Sequence, residues 1–206
     1  MTAGAAANGQ GLPRNDRDRN LVRNALGQVH DYLRRALRPG DTVVDATCGN
    51  GRDTVLCAGL VGPAGRVFAF DIQEQAIRNT RERLAEAGLL DRCTLVHDGH
   101  EHMDRYLPPS VRAVVFNLGW LPGGDHAIGT RADTTLAALS IALERLEPGG
   151  LIAMGLYYGG ASGYEERDRV LEAVRLLDCR RFTVIRSELA NAPHDPPIFI
   201  GIERTG

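Results

Sequence analysis

Lysine is missing from this 206-residue sequence; all 24 basic residues are arginine. Genomic base composition produces such a bias as readily as function does. Net charge is close to balance at −2, which excludes a protein that binds nucleic acid through bulk charge alone. Cysteine is sparse. Cys48, Cys57, Cys93 and Cys179 form no C-x-x-C pair and no metal-ligand spacing, so they read as reduced core thiols of a cytoplasmic protein. No apolar run approaches the roughly 18 residues of a membrane-spanning helix, and the N-terminus lacks an apolar signal core. The dinucleotide fingerprint G-x-G-x-x-G is absent too, because Thr54 stands where its third glycine belongs. Asp53 beside that turn would repel a pyrophosphate. Both features disfavour a nicotinamide oxidoreductase.

What is present is organised around Asp41 to Asp53. Thr42 to Ala46 is a short apolar, β-branched run, and Gly49-Asn50-Gly51 leads from it into a helical pattern at Thr54. A buried strand, a glycine bend and a helix N-terminus let the backbone approach a ligand closely. Asp45 at the strand end and Asp53 by the turn favour a ligand with a cationic centre and hydroxyls. A second strand, Arg66 to Asp71, ends in an acid about 20 residues past the glycines, where ribose hydroxyls are bound in this class of sheet. Asp45, Gly49, Gly51 and Asp71 together resemble the S-adenosylmethionine site of a Rossmann-like methyltransferase.

The rest of the chain alternates strand and helix, which predicts a parallel sheet covered on both faces. Met1 to Asn15 is polar and small and is expected to be disordered; residues 16 to 206 are expected to form one domain. A helical period runs from Asp16 to Arg38 and stops at Pro39-Gly40. Between Arg14 and Arg38 lie seven arginines and three aspartates, either a solvated helix face or a phosphate-contacting arm. Further strands are expected at Cys93 to His97, Val111 to Asn117 and Leu151 to Tyr157, with a closing antiparallel pair at Arg181 to Ser187 and Ile198 to Arg204. Helices are expected at Thr54 to Leu60, Gln73 to Ala87, Asp133 to Leu146 and Tyr164 to Leu177.

Ligands of an open α/β sheet bind outside the carboxyl ends of its strands. The second strand end offers Asp71-Ile72-Gln73, and the third offers Asp98-Gly99-His100-Glu101, where an adenine edge would be read. The fourth runs Phe116-Asn117-Leu118-Gly119-Trp120-Leu121-Pro122-Gly123-Gly124-Asp125, a glycine-interrupted loop carrying the only tryptophan. It resembles the N-P-P-aromatic loop of amino-group methyltransferases without the two prolines. An Asn117 carbonyl can accept from an amine N–H and aim the nitrogen lone pair, and Trp120 can stack a base.

Four segments carry a family resemblance: Val-Asp-Ala-Thr-Cys-Gly-Asn-Gly-Arg-Asp-Thr at Val44, Ala-Phe-Asp-Ile-Gln at Ala69, the Asn117 to Asp125 loop, and Asp-Pro-Pro-Ile-Phe at Asp195. They are similar to a class I S-adenosylmethionine-dependent methyltransferase family once labelled rRNA methylase. That family is now associated with methylating 5-aminomethyl-2-thiouridine at the tRNA wobble position. The resemblance implies a Rossmann-like seven-stranded sheet, mostly parallel and doubly wound, closed by an antiparallel pair. It implies S-adenosylmethionine contacts from Asn50, Asp53, Asp71, Gln73, Gly99 and His100, and a tRNA anticodon region as partner. It leaves a homodimer open, and the lack of a long apolar run argues against a membrane partner. Asn117 is then the residue that orients the amine, Asp125 or a water it holds is the base, and Trp120 meets the substrate base. Three positions depart from the family: Gly99 replaces a serine, Trp120 a tyrosine, and Gly160 the histidine of a Gly-His pair. Asn191 and Pro196-Pro197 match its C-terminal pattern. Alternatives from the residues alone are rRNA or a small amine as acceptor, and a non-catalytic S-adenosylmethionine-binding protein.

Overall fold

A computed structural model describes residues 22–121, 123, 128–192 and 194–206. The chain runs α1 (Ala25–Ala36), β1 (Thr42–Asp45), α2 (Arg52–Val61), β2 (Arg66–Asp71), α3 (Glu74–Glu86), β3 (Cys93–His97), β4 (Val111–Leu118), α4 (Ala132–Arg145), β5 (Leu146–Leu156), α5 (Gly160–Arg175), β6 (Phe182–Ser187) and β7 (Ile198–Arg204). Two short 3-10 helices flank β3, the second over His100–Arg105. The seven strands form one sheet in the order β3-β2-β1-β4-β5-β7-β6. Strand β7 is antiparallel to both neighbours, β5 and β6, while the other pairings are parallel. Fold class and closing pair agree with the expectation from sequence.

Helix α1 starts later than its apolar period. Asn24 caps it, its side chain accepting from the Gly27 N–H at 2.9 Å, and Val22 ahead of the cap is exposed. An N-cap of this kind satisfies an orphan donor and fixes the first turn. Residues 1–21, and with them the expected tail, lie outside the described residues. Strand β5 starts earlier than expected, at Leu146. Leu146 pairs with Val111 and Leu151 with Ala113, with an irregularity between. The Pro148-Gly149-Gly150 stretch is therefore an excursion within the strand rather than a turn ahead of it. Proline and glycine are tolerated in a sheet at such interruptions.

β4 shows how the layers form. Val114 and Phe116 enter one core with Phe70, Met154, Leu139 and Val170, while Ala113 and Val115 enter the other with Val29, Leu33, Val43 and Phe199. Period-two side chains facing helices on both sides require such an unbroken apolar run. From β1 the chain builds outward through β2 and β3, then returns to place β4 on the other side of β1. The crevice at this reversal lies at the carboxyl ends of β1 and β4. Asp45 ends β1, and Asn117 is the penultimate residue of β4.

Candidate active site

The turn after β1 is built from backbone and small polar groups. Gly49 and Gly51 both have positive φ, 49° and 76°. A Cβ on Gly51 would lie 2.8 Å from Thr80 Cα, so α3 packs directly against the turn. The Thr80 hydroxyl donates to the Gly49 carbonyl at 3.0 Å. Asn50 is tied to α3 through Asn79, which donates to its side-chain oxygen at 2.8 Å, and through Arg83, which donates to its carbonyl at 2.7 Å. Asp71 accepts from the Gly49 N–H at 3.0 Å and from the Gln73 N–H at 2.9 Å. One carboxylate therefore joins the first and second strand ends. Burial, partly offset by those two N–H donors, raises its pKa.

Asp45 is fully buried. Its carboxylate accepts from the Thr54 hydroxyl at 2.6 Å and the Thr47 N–H at 3.3 Å. Burial first, then the nearby Asp53 charge, pushes its pKa up to about 7. Such a group binds more protons folded than unfolded, so its contribution to stability is complete below about pH 4 and is lost as pH rises to about 7. Asp45→Asn removes this titration. Between pH 4 and 7 wild type should lose stability relative to the variant, by up to about 4 kcal/mol for a shift of this order. Urea unfolding of both proteins at several pH values measures the difference. A difference independent of pH would mean that Asp45 does not titrate in this window.

At the end of β4 the donors and acceptors around Asn117 are closely specified. Its N–H donates to the Thr47 hydroxyl at 2.7 Å. Its side-chain NH2 donates to Asp53 Oδ2 at 2.6 Å, and Asp53 Oδ1 lies 2.7 Å from His30 Nε2. Asp53 is buried in the first turn of α2, and His30 comes from α1. Asn117 Oδ1 is buried and has no hydrogen-bond partner among the described residues. Space for it comes from Gly155, its neighbour on β5, where a Cβ would sit 3.1 Å from that oxygen. Tyr157 follows, its phenol pushed up to about 12 by burial and the Asp53 charge.

The loop beyond Asn117 is clamped from beneath. The Gly119 N–H donates to the Thr130 hydroxyl at 2.8 Å, which donates to Glu166 Oε2 at 2.7 Å. Thr135 donates to Glu166 Oε1 at 2.6 Å. Burial raises the pKa of Glu166, and the two hydroxyls lower it. Trp120 bridges to Gly129 and is 38% exposed. Its ring lies over Gly159, where a Cβ would be 3.2 Å away. Residues 122 and 124–127, including Asp125, lie outside the described residues.

A family model described as "Putative rRNA methylase" matches residues 67–203. The chain belongs to this family. An Arabidopsis thaliana "tRNA (mnm(5)s(2)U34)-methyltransferase, chloroplastic" is 37% identical over 192 residues, 88% of this chain and 70% of that protein. Among solved structures, one described as a "putative rRNA-methylase" from Clostridium thermocellum is 51% identical with a TM-score of 0.88, over 90% of this chain and all of that one. A Streptococcus mutans protein described as a "putative methyltransferase", solved in complex with SAH, is 38% identical with a TM-score of 0.82, over 89% and 99% of the two chains. The protein is an S-adenosylmethionine-dependent methyltransferase, and S-adenosylmethionine is its cofactor.

Within this methyltransferase, the sequence-predicted residues fall into three groups. Asp71, Gln73, Gly49, Asn50 and Gly51 converge on the turn between β1, β2 and α3. Asp45 and Asp53 lie deeper, Asp45 accepting from Thr54 and Asp53 from the Asn117 side chain. Gly99 and His100 open the 3-10 helix after β3. His100 is buried, edge-on to Phe116, with Nδ1 3.2 Å from the Ala46 carbonyl; burial lowers its pKa. It ties the third strand end to the first. Sequence reasoning missed His30, Thr47, Tyr157 and the Thr130–Glu166 clamp. For His30 a signal existed, since Leu26, His30, Leu33 and Leu37 share one helical face at i, i+4, i+7 and i+11.

Proposed function

We propose that this methyltransferase acts on the primary amine of 5-aminomethyl-2-thiouridine at the wobble position of tRNA. The observation that carries the reading is the Asn117 carbonyl, buried and without a hydrogen-bond partner among the described residues. Leaving a buried acceptor unsatisfied costs about 1–3 kcal/mol, and an amine N–H from the acceptor substrate would satisfy it. The carbonyl is neutral, whereas Asp53 is occupied by Asn117 and His30. A neutral acceptor suits the reaction, because the nucleophile must be the free amine and alkylammonium groups titrate near pH 10. S-adenosylmethionine supplies an electrophilic methyl on its sulfonium, which an amine attacks in line. Asn117 holds the lone pair on that line, Trp120 stacks the substrate base, and Asp125 or a water it holds takes the proton. Asp71 holds the ribose hydroxyls, the Gly49-Asn50-Gly51 turn and Gln73 line the same end, and Ile72, 56% exposed, offers an apolar face to the adenine beside Gly99 and His100. The curated Arabidopsis relative supports the tRNA acceptor, and the family description keeps ribosomal RNA as the rival acceptor.

Asp71→Ala tests the cofactor end. S-adenosylmethionine binding should weaken by about 1.5–3 kcal/mol, the range for hydrogen bonds to a charged group. The fold should persist, because the residue sits at a strand end. Calorimetric titration showing wild-type affinity would place the ribose elsewhere. For the acceptor, nucleosides of tRNA from cells with and without the gene should differ in methylated 5-aminomethyl-2-thiouridine, as read by mass spectrometry. Unchanged tRNA and an altered ribosomal RNA nucleoside would select the rival.

A further inference from the structure

We infer that His30 of α1 is a positioning residue that fixes the Asn117 carboxamide through Asp53. The consequence for turnover rests on the function proposed above; the geometric part does not. An asparagine side chain can turn its carbonyl and NH2 ends over, and only one orientation presents an acceptor to an incoming amine. Asp53 selects it. A carboxylate oxygen 2.6 Å from the carboxamide can face the NH2 end but not the carbonyl end, where two acceptors would repel. Asp53 selects only while its own carboxylate is held, and the second oxygen is held by His30 Nε2 at 2.7 Å.

The first member of this series is well anchored. Helix α1 is capped by Asn24 and buries Val29 and Leu33 fully against the sheet. His30 sits between them in sequence with its side chain 24% exposed, whereas that of Asp53 is 6% exposed. The three side chains come from three separate elements, α1, α2 and β4. Orientation of a reacting group is lost when its support is loosened, even where binding is preserved. Helix α1 thus has a part in the chemistry besides covering the sheet.

The test compares His30→Ala and His30→Gln with wild type. Glutamine keeps an N–H donor at similar reach. The first readout is the Asn117 side-chain NH2 signal in ¹⁵N–¹H spectra, assigned by its disappearance in Asn117→Ala. In His30→Ala that signal should move or broaden, and in His30→Gln it should return toward its wild-type position. The second readout is steady-state kinetics on tRNA carrying 5-aminomethyl-2-thiouridine. His30→Ala should lower kcat about 10-fold or more with KM for both substrates within about 3-fold, and His30→Gln should recover most of kcat. An Asn117 signal unmoved in His30→Ala would overturn the inference, as would a loss of kcat that glutamine does not rescue. The spectroscopic readout needs no acceptor substrate. A wild-type protein inactive on that tRNA would therefore sink the proposed function, while the Asn117 signal still decides the role of His30.

Discussion

Asn117→Ala should lower turnover on unmethylated tRNA by roughly 10²-fold or more, the scale expected when a reacting atom loses its positioning. S-adenosylmethionine affinity should stay within a few-fold, because the carboxamide lies at the end of β4 rather than at the Asp71 turn. Stability should fall as well, since Asp53 loses a side-chain partner in a buried position. Asn117→Asp is the sharper variant. It sets a second carboxylate against Asp53 at the position of a 2.6 Å hydrogen bond. One of two such carboxylates takes up a proton, so its pKa rises, and stability should decline with rising pH relative to wild type. If both variants methylate at the wild-type rate, Asn117 is only a strand-end cap.

Gly51→Ala is expected to be nearly as severe, by a different route. The residue has a φ of 76°, and its Cβ would press on the Thr80 backbone at 2.8 Å. Left-handed backbone costs roughly 1–2 kcal/mol for a non-glycine residue, and a forced shift of packed backbone adds about 1–3 kcal/mol. Because Thr80 also holds the Gly49 carbonyl, the displaced turn should lose S-adenosylmethionine affinity about 10-fold or more. Gly88→Ala is the control: its φ of 67° is similar, but nothing lies within 4 Å of the added carbon. Urea unfolding should separate the two variants by the packing part alone, and calorimetry should find cofactor binding intact only in Gly88→Ala. Equal losses in both would show that α3 yields to the turn.

The elements most legible in the sequence were those with local boundaries. β2 and β7 match their expected limits to the residue, each a β-branched or aromatic run closed by polar residues. Where a side chain overrides the period, the limits move, as Asn24 does at the start of α1 and Pro148-Gly149-Gly150 does within β5. The geometry of the turn after β1 was legible because glycines and acids at successive strand ends, Asp45 to Asp71, lie close together in sequence. The Asn117 neighbourhood was only half legible. Its loop is conspicuous, yet the orientation of its amide depends on Asp53, 64 residues away, and on His30, a further 23 residues back. No local pattern encodes a contact of that span. The loop clamp is hidden for the same reason, since Glu166 reaches Thr130 across 36 residues.

Methyl transfer to a wobble-uridine amine is tested most directly with purified protein, methyl-labelled S-adenosylmethionine, and two tRNA preparations that differ only in the 5-aminomethyl group. Labelled methyl should appear on the nitrogen of 5-aminomethyl-2-thiouridine in the first preparation and nowhere in the second. Equal labelling of both, or labelling of ribosomal RNA with neither tRNA labelled, would contradict it.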